Sequence, residues 1–167
     1  MSPQQALLEP PEKVTDSQKM FAELYKTMSS INQELGPLQK KVLGFEENLK
    51  AGRISRSEAE LLKKDMGRVL VLYEELDKAT KGIHELRKQL PPETVQDELK
   101  ALNHSLADVY AEWTKTFMKK QGSRTDEERR GYDEKMEGLV FAEQKLLEFK
   151  EGREAGKNPD LSKHRLD

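Results

Sequence analysis

Residues 16–50 read DSQKMFAELYKTMSSINQELGPLQKKVLGFEENLK. The large apolar side chains in this stretch are Phe21, Leu24, Met28, Ile31, Leu35, Leu38, Val42, Phe45 and Leu49. Their spacing alternates three and four over about four heptads, the pattern by which a helix lays one stripe against neighbours. A helix of that length is roughly 50 Å long. Gly36-Pro37 falls in its middle. Proline removes one helical hydrogen bond and crowds the preceding turn. The heptad phase nevertheless passes through it unchanged, so the pattern predicts one continuous helix kinked at Pro37 rather than two helices and a loop.

Working outward, Ala51-Gly52-Arg53 ends this helix, with Gly52 suited to the C-terminal cap. Ser55/Glu58 and Ser57/Glu60 both have the spacing of a capping box, and a second helix follows to about Leu90. Its stripe is Leu62, Met66, Val69, Tyr73, Leu76, Ile83 and Leu90, with Leu61, Leu70, Val71, Leu72 and Leu86 beside it. The run Val69 to Tyr73 is apolar all round, which predicts that this helix lies at the centre of the bundle. Pro91-Pro92 stops it, and the short link predicts that the third helix, about Glu93 to Gln121, is its antiparallel neighbour. The third stripe is Val95, Leu99, Leu102, Leu106, Val109, Trp113 and Phe117. A capping box at Thr125–Glu128 opens a fourth helix to about Arg153, striped by Tyr132, Met136, Leu139, Val140, Leu146, Leu147 and Phe149. Gly131 and Gly138 weaken that helix, which is therefore expected to dock least firmly.

No segment alternates like a strand. The expected fold is all-α, an antiparallel bundle of three to four long heptad-patterned helices. Residues 15–121 form a three-helix core and 122–155 a fourth helix on or beside it. Residues 1–14, with Pro3, Pro10 and Pro11, and residues 156–167 are expected to be flexible arms.

Composition agrees. Leu, Ile, Val and Phe make up about 22% of the 167 residues, little for a large spherical core but enough for long helices that each bury one stripe. Charged residues reach 36% and the net charge is -2, which excludes a generic polyanion binder, so no nucleic acid is expected as a partner. Cysteine is absent, and with it disulfides, thiolate metal sites and cysteine nucleophiles. The first residues resemble no signal peptide, and no run approaches the roughly 18 apolar residues of a membrane span. The expected location is the cytoplasm, with the nucleus open as well.

Nothing in the motifs points to catalysis. There is no phosphate-binding glycine loop, no HExxH, no EF-hand loop and no GxSxG. His84, His104 and His164 are far apart, and no Glu-x-x-His pair offers a di-metal site, so no metal and no cofactor is expected. Glu46-Glu47, Glu74-Glu75 and Glu127-Glu128 fall off the stripes and read as solvated faces. The basic pairs Lys40-Lys41, Lys63-Lys64, Lys119-Lys120 and Arg129-Arg130 each have acidic neighbours. Asn103-His104-Ser105 matches the glycosylation pattern by chance in mid-helix, and Ser2-Pro3 is a candidate phosphorylation site.

Residues 20–120, three heptad helices with Pro-Pro before the last, resemble the three-helix GAT modules of trafficking adaptors. The run Asp97 to Leu106, DELKALNHSL, is similar to the start of their last helix. Such modules bind ubiquitin and small GTPases, so the resemblance implies an adaptor role. The fourth helix has no counterpart in them, and no binding residue carries over.

These readings predict a non-enzymatic helical interaction module, an adaptor or subunit of a larger assembly. Its partner is expected to be another protein, itself helical, or a second copy of the chain. The candidate contact residues are Leu70, Leu72, Trp113, Val140 and Phe141, with Trp113 an aromatic anchor for a partner or part of the core. The alternative is a membrane-surface scaffold using Lys40, Lys41, Lys63, Lys64 and Lys119 against acidic lipid.

Overall fold

The computed structural model describes residues 14–154, so the arms expected at the two ends of the chain lie outside it apart from Val14. Four α-helices account for nearly all of it: α1, Asp16–Lys50; α2, Arg56–Gln89; α3, Val95–Gln121; and α4, Asp126–Glu154. A 3₁₀ turn at Pro92–Thr94 leads into α3.

The helix ends follow local chemistry. Thr15 Oγ1 accepts the Gln18 N–H at 3.1 Å and caps α1. The helix runs unbroken through Pro37. It stops where Gly52 turns left-handed, at φ 67°. The Arg53 N–H then reaches back to the Asn48 carbonyl at 2.8 Å and the Gly52 N–H to that of Leu49 at 3.1 Å, a Schellman closure. Of the two caps possible before α2, Ser55 is used, its Oγ accepting the Glu58 N–H at 3.2 Å. At α4 the Thr125 hydroxyl accepts the Glu128 N–H at 3.1 Å, while the Glu128 carboxylate returns to the Arg124 N–H at 3.0 Å.

Tyr25 near the start of α1, Arg87 at the end of α2, Glu98 at the start of α3 and Arg153 at the end of α4 meet at one end of the molecule. The helices therefore run alternately up and down. The centre is not where the apolar run of α2 put it. α1 packs along all three other helices and α3 packs along α4, whereas α2 packs along α1 and has no comparable seam with α3 or α4. Leu61, Met66, Leu70 and Val71 of α2 stay exposed. The expected side-by-side packing of α2 and α3 is accordingly absent beyond the region of the turn that joins them.

Close approach rather than apolar content puts α1 in the middle. Its buried positions do not keep to the a/d stripe: Tyr25, Ser29, Asn32 and Gln39 are buried beside Phe21, Met28, Leu35 and Val42, and Leu49 is exposed. On the α4 side, a Cβ built on Gly36 would lie 2.7 Å from the Phe141 Cβ. A Cβ on Gly138 would lie 2.1 Å from the Gln33 carbonyl oxygen. The Gly138 Cα is then within about 3.6 Å of that oxygen, one C–C bond further, where a Cα–H contact forms. Gln33 is four residues before Pro37, so its carbonyl has no N–H to accept from within the helix. Gly138, expected to weaken α4, is what lets it dock, with Leu139, Ala142, Leu146 and Phe149 buried below.

The two glycines of α4 should respond with opposite signs. Gly138→Ala forces α1 and α4 apart and should lower unfolding stability by about 2–3 kcal/mol. Nothing lies within 4 Å of a Cβ on Gly131, so Gly131→Ala should raise stability by about 0.5–1 kcal/mol. Urea denaturation of the two variants measures both.

Candidate functional site

Two features of the described residues stand out from an ordinary bundle: a buried ionic cluster and an uncharged outer flank. The cluster centres on Glu98, which is 0% exposed. Tyr25 donates its hydroxyl to Glu98 Oε2 at 2.6 Å. Arg87 donates Nη2 to the same oxygen at 2.6 Å and Nε to Oε1 at 2.9 Å, a bidentate grip. Arg153 Nε lies 3.1 Å from Oε1 as an ion pair whose alignment falls short of a hydrogen bond. Phe149 stands edge-on to the Tyr25 ring, 5.9 Å between centroids, and closes the cluster. Burial, and then the negative charge of Glu98, push the Tyr25 phenol well above its ordinary range. Burial, and then the Arg87 charge, push the nearby His84 imidazole down.

Each carboxylate oxygen of Glu98 already has cationic partners, and the group has no access to solvent. The cluster ties one side chain from each of the four helices to the others. No group of three or more His, Asp or Glu among the described residues is placed to hold a metal ion. No described helix is long and apolar enough to cross a membrane.

The flank lies on α3. Successive helical residues are about 100° apart. On that basis Gln96, Leu99, Asn103, Leu106, Ala107, Tyr110, Trp113, Thr114, Phe117 and Gln121 share one sector about 120° wide. None is charged, in a chain where 36% of residues are. Asp97, Lys100, His104, Asp108, Glu112, Lys115 and Lys119 all lie outside it. Every member of the sector is half-buried or exposed, and Tyr110 is 67% exposed. The Trp113 and Phe117 rings stack, 5.4 Å apart and 9° from parallel. Leu99, Leu106 and Trp113 also touch the core, so the sector is anchored from below.

The five candidate contact residues part company. Leu72 is 1% exposed and belongs to the core, so it cannot meet a partner while the bundle is closed. Phe141 is half-buried against Gly36, with the Lys145 ammonium 5.2 Å above its ring. Trp113 is half-buried, and Leu70 and Val140 are exposed on α2 and α4. Of the basic residues, Lys40 pairs with Glu137 at 2.7 Å, Lys120 with Asp133 at 2.6 Å, and Arg129 with Asp126. Sequence reasoning passed over Glu98 and Tyr110. The signal for Glu98 was the spacing 98, 102, 105, 109, 116, which is the buried face of α3 once polar residues are allowed on it.

Breaking the cluster should be costly. Glu98→Gln removes the buried negative charge that Arg87 and Arg153 face and should lower stability by about 3–5 kcal/mol. Adding Arg87→Met should recover part of that loss, read as a coupling energy in a double-mutant cycle. The raised Tyr25 phenol adds a pH dependence. The folded state keeps this proton above the ordinary tyrosine value of about 10, so its contribution is complete below that pH and falls as pH rises above it. Urea midpoints between about pH 9 and 11 should drop less steeply for Tyr25→Phe than for the wild type. Compared with protein-family models, curated proteins and solved structures, the chain matches none.

Proposed function

We propose that this chain is a helical protein–protein interaction module whose contact surface is the uncharged flank of α3. One observation carries the reading: an aromatic sector without charge, with Tyr110 67% exposed, on a surface otherwise dense in Lys, Glu and Asp. Desolvating a charge costs free energy that burying an aromatic ring does not. The cores of protein interfaces are accordingly depleted of charge and enriched in Tyr, Trp and Phe. Trp113 and Phe117 are stacked before any partner arrives, which lowers the ordering cost of docking on them. An adaptor or assembly-subunit role follows from such a surface combined with a closed core. The membrane-surface alternative rests on Lys40, Lys41, Lys63, Lys64 and Lys119, of which Lys40 is already ion-paired with Glu137.

Affinity capture with three tagged forms tests this. Proteins retained by the wild type should be lost, by at least about 30-fold, from a Tyr110→Glu/Phe117→Glu variant of unchanged helicity. They should be retained by Leu70→Glu, which changes an equally exposed apolar position on another helix. Loss with Leu70→Glu alone, or no difference among the three, overturns the assignment to α3.

A further inference from the structure

We infer that the bundle binds ordered water at its centre, in a layer built by Asn32, Thr80, Ser105 and Ala142. The layer follows from the ionic cluster. Tyr25, Arg87, Glu98 and Phe149 converge there, one from each helix. A step of one heptad returns a helix to nearly the same face, about 10.5 Å further along. One heptad into the bundle from those four stand Asn32, Thr80, Ser105 and Ala142. One heptad further stand Gln39, Tyr73, Glu112 and Lys135. Contacts show that the register holds at that level. Gln39 Nε2 donates to the Tyr73 hydroxyl at 2.6 Å, and Lys135 pairs with Glu112 at 2.7 Å.

The two flanking layers are filled by long side chains that bond one another. The middle layer is built differently. All four of its residues are buried, yet both ends of the Asn32 amide, Oδ1 and Nδ2, have no hydrogen-bond partner among the described residues. Buried amides of folded proteins almost always have one, from the protein or from water. Thr80 has given its proton to the Leu76 carbonyl at 2.8 Å, so its oxygen can only accept. Water can donate to Asn32 Oδ1 and to Thr80 Oγ1, accept from Asn32 Nδ2 and bond the Ser105 hydroxyl. Those are the several polar partners that an internal water needs. None of the four side chains is charged, so an ion would find no counter-charge among them. Threonine, serine and alanine are small where the flanking layers carry arginine, glutamate, phenylalanine and tyrosine. Ser105 also lines a groove of about 210 Å³ between α1 and α3, with Ser29 and Gln33, which gives water a route inward.

Oxygen-17 relaxation dispersion of water, measured on the full chain, tests this. The wild type should retain water for longer than the molecule takes to tumble. Asn32→Leu replaces the amide by an apolar side chain of similar size and should lose about half of that amplitude or more, at unchanged helicity. Thr80→Val keeps the shape of the side chain, removes one acceptor and should lower the amplitude as well. No retained water in the wild type, or an unchanged amplitude in Asn32→Leu, overturns the inference. Should Asn32→Leu lose its helicity, Thr80→Val decides by the same criterion. A crystal structure of the wild type gives a reading that needs no variant. A water oxygen within hydrogen-bond distance of Asn32 supports the site, and an amide bonded only to protein groups overturns it.

Discussion

A carboxylate with no access to water sets the terms for the rest of the bundle. Glu98 sits on α3 and its partners come from the other three helices: Tyr25 from α1, Arg87 from α2 and Arg153 from α4. Taking the charges of this cluster out of water offsets much of what their attraction returns, so the net stability gained is small. The selectivity is large. Apolar stripes tolerate a slip of one heptad, because one leucine replaces another. A slip of α1, α2 or α4 here would take one of the buried partners away from Glu98, and a slip of α3 would take all of them. One end of the molecule is thereby pinned in a single register.

A second constraint acts halfway along α1. The turn at Pro37 leaves the Gln33 carbonyl free, and Gly138 brings the α4 backbone close enough to cover it. Gly36 provides the reciprocal space for Phe141. With the Tyr25–Phe149 ring contact nearer the pinned end, the α1–α4 pair is fixed at two separated levels. That leaves α2, which has only α1 to pack along, as the helix with the most surface to spare.

The sequence made some of this legible and hid the rest for identifiable reasons. Helix number, helix limits and the caps at Gly52, Ser55 and Thr125 followed from local chemistry, which does not depend on tertiary context. Which face turns inward did not follow. Apolar counting favoured α2 as the centre, whereas small and polar residues (Ser29, Asn32, Gly36, Gln39) decided it for α1. Asn32 is buried with no hydrogen-bond partner among the described residues, and no hydropathy pattern would place it there. On α3 the predicted stripe was real but wider than the buried face. Its outer part, from Leu99 to Phe117, is the flank that remains half-covered, and Tyr110 was left out because it lies off that stripe.

The intimate contact between α1 and α4 also bears on how the chain is made. Gly138 is synthesised about 100 residues after Gly36. At ~5–20 residues per second that is a wait of roughly 5–20 s, long against the microseconds in which helices form. During synthesis α1 can be clothed early by α2 on one side, while the side shaped for α4 stays open until nearly the whole described segment has left the ribosome. The helix at the centre of the finished bundle is therefore the first made and the last covered. Its interval of exposure is set by the order of the helices along the chain rather than by their stability.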